Sequence, residues 1–160
     1  MDQRTRGSRR AKAADVAATC ACFNIRKATR AVTQFYDDVL RPSDLRTTQF
    51  TLLVLLQGNG PMSINSLAEA AGTDRTTLTR NLAILEQRRL VRIRSGADAR
   101  VRVVELTIAG DEAAVTALPL WQKAQSQVAA NMGHNRLTRL LSDLSAVVGA
   151  VEDGSTNLAS

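Results

Sequence analysis

Arginine side chains are the residues of this sequence most able to do chemistry, and their excess charge lies in one segment. Between Arg75 and Arg102 the chain carries eight arginines against two acids, Glu86 and Asp98, so this segment accounts for the whole formal net charge of +6. Eighteen of the 21 basic residues are arginine, whose planar guanidinium matches phosphate groups and guanine edges. A cationic patch on an otherwise neutral chain predicts a surface that binds a polyanion, with nucleic acid as the first candidate.

The arginine-rich segment begins with a helical pattern. Leu78, Leu82 and Leu85 recur at i, i+4 and i+7, which places them on the inward side of a helix over residues 75–89. The other side of the helix, near its N-terminal end, then carries the side chains that could reach base edges in a major groove. We predict as DNA-binding residues Arg75, Thr76, Thr77, Thr79 and Arg80. The alternative is that these five form only a solvated face.

Two runs of alternating character follow, over residues 91–94 and 101–106, and predict a β-hairpin with a basic tip. An arginine on a narrow tip can enter a minor groove, because the negative potential there attracts it. The hairpin adds four predicted DNA-binding residues, Arg92, Arg94, Arg100 and Arg102. Asp98 is predicted to be a turn residue that orients the Arg100 guanidinium.

Cys20 and Cys22 lie in a predicted helix that Asp15 caps and that ends near residue 39. On a continuous helix, residues two apart point about 200° apart, so we expect this pair neither to bind one ion nor to form a disulfide readily. Three roles stay open for them: small buried apolar residues, reactive thiols, or ligands of a thiophilic metal ion shared between two chains of a dimer. His134 is the one histidine, predicted in a turn, and we predict no metal site.

The elements that position these residues form a mainly α fold with a small β-hairpin wing. A short helix over residues 64–71, a turn at Gly72 and the helix from Arg75 make a helix-turn-helix, and the hairpin behind it makes a winged helix. We expect a disordered basic arm over 1–12, N-terminal dimerisation and central helices over 13–60, the winged helix-turn-helix DNA-binding lobe over 61–106, C-terminal dimerisation helices over 107–152 and a flexible tail over 153–160.

Local signals set the other helix boundaries. The Arg41-Pro42 step should end the first helix, and the 58–61 segment should end a second, apolar helix that begins near Thr47. Thr107 should cap a helix that Pro119 kinks or restarts. The last helix, over about residues 135–151, carries a continuous apolar stripe whose partner is either the first helix or another chain.

Composition and motifs exclude several classes of protein. The longest apolar run is five residues, far below the ~20 that span a bilayer, and there is no apolar signal-peptide segment, so we expect a soluble cytoplasmic protein without a membrane partner. The sequence has no P-loop, no GxSxG and no plausible catalytic triad. We therefore predict neither enzyme activity nor a cofactor.

Residues 62–110 resemble the winged helix-turn-helix core of the MarR family of bacterial transcriptional regulators. The resemblance is carried by the 74–82 segment DRTTLTRNL, the exit from Glu86 to Val91, Asp98-x-Arg100 in the wing and Leu106-Thr107-x-x-Gly110 after it, and the flanking helices extend it to about residues 15–150. Two departures are Arg88-Arg89, where the family commonly pairs a basic residue with Gly, and the apolar Ala83-Ile84. The resemblance implies a homodimer that binds double-stranded DNA at a pseudo-palindromic operator.

The resemblance also implies a possible role for the thiols. Some hydroperoxide-sensing members of the family carry a reactive cysteine in the first helix, and Cys22 lies near that place. Tyr36 resembles a tyrosine that activates this cysteine, whereas Arg26 occupies the place of a second tyrosine. Cys22, with Cys20 and Tyr36, is thus the candidate redox site.

These observations favour a dimeric, sequence-specific transcriptional regulator, most simply a repressor released by a small apolar or aromatic effector bound between the dimerisation helices and the winged lobe. One alternative is a repressor that senses peroxide or electrophiles through Cys22. A second is a non-specific architectural DNA-binding protein. A winged helix used for protein contacts would present an acidic or apolar face, which the 75–80 segment does not.

Overall fold

The computed structural model of the chain describes residues 15–96, 98 and 100–158, with side chains described as far as Val151. It is mainly helical with one three-stranded antiparallel sheet, which confirms the predicted fold class. The basic arm predicted over residues 1–12 lies outside the described residues. Within the described part, no helix is both long enough and apolar enough to cross a membrane.

Six helices and three strands make up the described part of the chain after Cys20. The helices are α1 Ala21–Leu40, α2 Thr47–Asn59, α3 Ile64–Ala70, α4 Arg75–Gln87, α5 Ile108–Met132 and α6 His134–Leu158. The strands are β1 Met62–Ser63, β2 Val91–Ser95 and β3 Arg102–Leu106. A single 3-10 turn, Arg41–Ser43, follows α1, so α1 ends just before Pro42 as predicted.

The N-terminal helix is interrupted at Cys20, which the sequence analysis did not predict. Residues 15–19 are helical, so Asp15 is not the cap, and Cys20 then adopts an extended backbone with φ −67° and ψ 111°. The Asn24 side-chain amide donates to the Ala17 and Ala18 carbonyl oxygens at 3.1 and 3.2 Å. These bonds give hydrogen-bond partners to carbonyl groups of the helical turn that ends at the break.

Helix α2 is the centre of the hydrophobic core. Leu53 and Leu56 are fully buried, and Phe50 stacks on Trp121 of α5 with ring centroids 6.4 Å apart. Val54 is 39% exposed, so the helix is not buried on every side. Gly58 lies inside the helix, which ends at Asn59 where Gly60 adopts a φ of +73°, within the segment that was predicted to end it.

The sheet has the order β1-β3-β2, with both pairings antiparallel. Strand β1 was missed from the sequence because two residues are too short to show alternation. It pairs Met62 with Val104 and thereby joins the start of the helix-turn-helix to the wing. In the hairpin, Arg92 lies opposite Glu105.

Helices α5 and α6 complete the fold. Thr107 caps α5 by accepting a hydrogen bond from the Gly110 amide at 3.0 Å, as predicted. Pro119 lies within a single helix that continues to Met132, so it does not restart the helix. His134 is the first residue of α6, not part of a turn, and the helix continues to Leu158, beyond the end near residue 151 that the apolar pattern predicted.

The start of α5 and the base of the wing meet at Gly110, which is buried. A Cβ atom added there would lie 1.9 Å from the Leu90 carbonyl oxygen and 2.9 Å from Leu106 Cδ1. The contacting atom of Leu90 is a backbone carbonyl oxygen just before β2. It therefore cannot move aside as the end of a flexible side chain would. Only glycine permits this contact.

We therefore expect Gly110→Ala to destabilise the protein by at least about 4 kcal/mol, as overpacking against backbone does in the severest cases. The matched control is Gly58→Ala, also in a helix, where an added Cβ meets nothing within 4 Å. This control should stabilise the protein by about 0.5–1 kcal/mol, because glycine is a poor helix former. Urea unfolding followed by circular dichroism measures both. Equal midpoints for Gly110→Ala and the parent would contradict the close contact.

Candidate nucleic-acid interface

The orientation of α4 is fixed by its three leucines. Leu78, Leu82 and Leu85 are 0%, 1% and 0% exposed and belong to the core around α2, as the spacing predicted. The preceding turn is made by Gly72 at a φ of +59°. The opposite face of α4 is therefore left on the surface.

Asp74 holds the N-terminal end of α4. Its Oδ1 accepts from the backbone N–H groups of Thr76 and Thr77, both at 2.9 Å, and its Oδ2 accepts from the Thr77 hydroxyl at 2.6 Å. These hydrogen bonds, that from the Thr77 hydroxyl foremost, lower the pKa of Asp74, so the carboxylate is charged at neutral pH. The helix end is thus already occupied by an anion, and attraction of a phosphate depends on side chains instead.

The five predicted residues of α4 are all exposed, but they do not form one group. Four of them line a single shallow depression together with Ala83, namely Arg75, Thr76, Thr79 and Arg80. Thr77 lies on the side toward α2. The Thr79 hydroxyl donates to the Arg75 carbonyl oxygen at 2.7 Å, so guanidinium groups are the principal free donors on this face.

Two of the four predicted wing arginines are paired with one acid. Arg92 Nε donates to Glu105 Oε1 at 2.7 Å, and Arg94 Nε donates to Glu105 Oε2 at 2.8 Å. The hydrogen bonds from Arg94 and then Arg92 lower the pKa of Glu105. Both arginines therefore have a carboxylate partner within the chain, which the sequence analysis did not anticipate.

The tip of the wing is shaped by Asp98, as predicted. Its carboxylate accepts from the Arg100 backbone N–H at 2.9 Å, and its carbonyl oxygen accepts from the Val101 N–H at 2.9 Å. The carboxylate thus orders the turn by binding the backbone of Arg100. It does not bind the Arg100 guanidinium, which it was predicted to orient. Arg100 and Arg102 are both exposed.

A further arginine of the charged segment is engaged away from the wing. Arg88 Nη1 donates to the Asp44 carbonyl oxygen at 2.6 Å, and its Nη2 lies 3.1 Å from Asp44 Oδ2. Asp44 and Glu105 both lie outside the 75–102 segment. When these two paired acids are counted with the segment, its formal net charge falls from +6 to +4. Within the described residues, no carboxylate pairs with Arg75, Arg80, Arg100 or Arg102.

The candidate redox residues are arranged differently from the expectation. Because Cys20 precedes α1 in an extended conformation, the argument from a continuous helix against an approach of the two thiols is wrong. The expectation of buried residues also fails, since both are free thiols, Cys20 half-buried and Cys22 exposed. The described residues include no cluster of three or more His, Cys, Asp or Glu that could hold a metal ion.

Tyr36 cannot activate Cys22 of the same chain. It lies fourteen residues further along, about 21 Å down the helix axis, and its hydroxyl donates to Gln125 Oε1 on α5 at 2.5 Å. Burial raises the pKa of Tyr36. Its role within the chain is to join α1 to α5.

A cavity of roughly 120 Å³ lies between α1, α2 and the helix-turn-helix. The surface it exposes is mainly apolar, although six of its ten lining residues are threonines: Thr33, Thr47, Thr48, Thr51, Leu52, Ala71, Thr73, Thr77, Leu78 and Asn81. Among the described residues, Thr47 Oγ1 is the buried side-chain polar atom without a hydrogen-bond partner. The cavity lies where an effector site was predicted from the sequence, between the dimerisation helices and the winged lobe.

Comparisons with known proteins agree with this geometry. The model described as MarR family matches residues 43–101. The solved structure of the M. tuberculosis transcriptional regulator MosR in complex with DNA is 40% identical to the chain, covers 84% of it and 97% of its own length, and has a TM-score of 0.76. None of the curated proteins compared with the chain matches it.

Two more distant structures share the fold. A mutant of MarR from E. coli complexed with operator DNA is 20% identical, covers 82% of this chain and 96% of its own, and has a TM-score of 0.73. The transcriptional repressor CouR bound to p-coumaroyl-CoA is 21% identical, covers 83% of this chain and 94% of its own, and also has a TM-score of 0.73.

Proposed function

The chain belongs to the MarR family of DNA-binding transcriptional regulators, and from this we propose that it is a homodimeric repressor of the cytoplasm that binds a pseudo-palindromic operator and leaves it when an effector binds. Proteins of this family are transcription factors and not enzymes. The match to MosR over 84% of the chain supports carrying the DNA-binding role over to this protein.

The observation that carries the proposal is the set of arginines without an acidic partner. Arg75 and Arg80 share one exposed depression on α4, and a guanidinium can bond bidentately to guanine O6 and N7. Arg100 and Arg102 lie at and beside the wing tip, where they can contact phosphates or a minor groove. We assign base recognition to α4 and backbone contacts to the wing.

A binding selection from random duplexes should recover a pseudo-palindrome with half-sites about one helical turn apart. On that site, Arg80→Ala should cost about 1–3 kcal/mol and relax the base preference, and Arg100→Ala should lower the salt slope by about one unit. Fluorescence anisotropy at several salt concentrations measures both effects.

The control is Arg139→Ala, which removes an exposed arginine from α6 and should leave affinity within about twofold. Preference for the selected site should be about 10³ or more over bulk DNA. A ratio near one would instead identify a non-specific architectural protein. Parent-like binding by both test variants would remove the assigned contacts.

The dimer is supported by the exposed apolar stripe of α6. Within the chain α6 packs against α5, and of its stripe only Leu137 is buried. The exposed members are Leu140, Leu141, Leu144, Val147, Val148 and Val151. Since a monomer rarely leaves so continuous an apolar surface in water, we propose that a second copy covers it, together with the exposed Phe23 and Val32 of α1.

Leu144→Glu, in the middle of the stripe, should raise the dissociation constant of the dimer at least about tenfold, because a buried unpaired carboxylate costs more than 1.4 kcal/mol. Ser142→Glu is the matched control, since it adds the same charge on the opposite side of the same helix. Sedimentation velocity over a dilution series gives both constants. Equal constants for the two variants would show that α6 does not form the interface.

The cavity between α1, α2 and α4 is the proposed effector site. A cavity of about 150 Å³ can hold a benzene-sized molecule, so the cavity of about 120 Å³ would have to widen slightly to hold one small aromatic ring. A ligand that widens it would reach Thr47, whose buried hydroxyl has no other hydrogen-bond partner. Because the cavity touches Thr77 and Leu78 of α4, a ligand that widens it would shift the helix that reads DNA.

Phenol, benzyl alcohol and other ring-sized compounds should therefore release operator DNA, and Thr47→Val, which keeps the shape of the side chain, should weaken the response about tenfold. Titration of labelled operator complexes measures the release. A response unchanged in Thr47→Val would contradict ligand binding at this hydroxyl.

The second candidate signal is thiol oxidation, which the exposure of the free cysteine Cys22 favours. In that case peroxide should release DNA from the parent but not from Cys22→Ser, while Thr47→Val stays as responsive as the parent. Unchanged operator affinity after complete oxidation of Cys22 would remove this candidate.

A further inference from the structure

We infer that Glu105 is a specificity-determining residue: by binding Arg92 and Arg94 it withholds two guanidinium groups from DNA and so suppresses binding to non-operator sequences. The inference rests on the proposed function, because it concerns the choice between operator and bulk DNA. It also revises the sequence analysis, which placed both arginines among the DNA contacts.

The Glu105 carboxylate binds both arginines across the hairpin, so the three side chains form one set. Arg92 lies directly opposite Glu105, and its Nη2 is 2.6 Å from Oε1 in addition to the bond from Nε. Arg94 takes the other carboxylate oxygen, Oε2. Each oxygen thus serves one arginine. Neither guanidinium can leave without exposing a charged oxygen that was hydrogen-bonded.

Glu105 is the covered member of the set. Its side chain is 16% exposed, against 73% for Arg92 and 51% for Arg94. The arginines therefore lie over the carboxylate and close to solvent, where DNA phosphates could compete for them. This competition is opposed by an energetic cost: the Glu105 carboxylate, which is largely covered, would lose both of its hydrogen-bond partners.

The set also points away from the recognition helix. Side chains alternate between the two faces of a strand, and Val91, Ile93 and Val104 turn toward the core that α4 joins. Arg102 continues that inner face toward the tip. Arg92, Arg94 and Glu105 are on the outer face, so they do not lie beside α4 when its exposed end meets a groove.

This placement predicts unequal effects on the two kinds of DNA complex. Non-specific binding is almost entirely electrostatic and adds about 0.9 to the salt slope for each phosphate contacted. A protein on bulk DNA is not held in one orientation, so freed outer-face arginines would count there. On the operator, α4 fixes the orientation and the outer face stays out of reach. Glu105 therefore weakens the competing complexes and not the correct one.

The test is Glu105→Gln, which keeps the size of the side chain and removes its charge. We measure dissociation constants for the selected operator and for a random duplex of equal length between 50 and 200 mM salt. Random-duplex affinity should rise about tenfold at the lower salt and its slope should steepen by one to two units, while operator affinity changes less than about threefold. The specificity ratio then falls.

The control for net charge is Glu112→Gln, an exposed acid on α5, which should leave both slopes within half a unit of the parent. Adding Arg92→Gln and Arg94→Gln to Glu105→Gln should restore the parental slope. In the parent background, the same two arginine changes should leave the random-duplex slope unaltered, a result that does not require Glu105→Gln to fold.

Equal gains on operator and random duplex would overturn the inference, as would an unchanged random-duplex slope in Glu105→Gln. A lower random-duplex slope on removing the two arginines from the parent would show that the carboxylate does not withhold them. Failure of the parent to prefer any duplex would refute the proposed function instead, and the random-duplex slopes would still show whether Glu105 withholds Arg92 and Arg94 from DNA.

Discussion

The burial of three leucines of α4 against the core around α2 is the constraint on which the surface of this protein depends. With Leu78, Leu82 and Leu85 held inside, the helix cannot rotate, and every other residue of α4 has a fixed direction. Arg75 and Arg80 are exposed in one depression for that reason and not because of their own interactions. The polar face is thus a by-product of apolar packing. Its position relative to the wing follows from the same core, which includes Val91 and Val104 of the sheet.

The parts of the structure that follow from local sequence could be predicted, and the contacts across the chain could not. The leucine spacing, the cap at Thr107 and the stop before Pro42 each depend on a few consecutive residues, and they were confirmed. The break at Cys20 depends on an asparagine four residues later, and the charge of the wing on an acid thirteen residues from Arg92. Knowledge of the hairpin register would have revealed that Glu105 lies opposite Arg92. The length of the turn alone does not fix that register.

Charge counted along the sequence therefore differs from charge available on the surface. The +6 of the 75–102 segment contains three arginines that the fold commits to Asp44 and Glu105. Arg89, in the same segment, adopts a left-handed backbone conformation with a φ of +59°. This conformation costs a residue with a side chain about 1–2 kcal/mol. The contacts of the described residues give no structural reason for retaining a side chain there.

The long α5 acts mechanically as a lever arm. Its first turn is clamped to the base of the wing by Thr107 and by the close contact at Gly110, and its 25 residues reach α6, about 37 Å away. On an arm of that length, a tilt of about 5° at one end displaces the other by about 3 Å. Because the contacts at Thr107 and Gly110 are close, such a tilt would move the whole winged lobe together with α5. Looser packing between α5 and the wing would not transmit it. Because only glycine allows the close contact at residue 110, a side chain there would loosen the connection between α5 and the winged lobe.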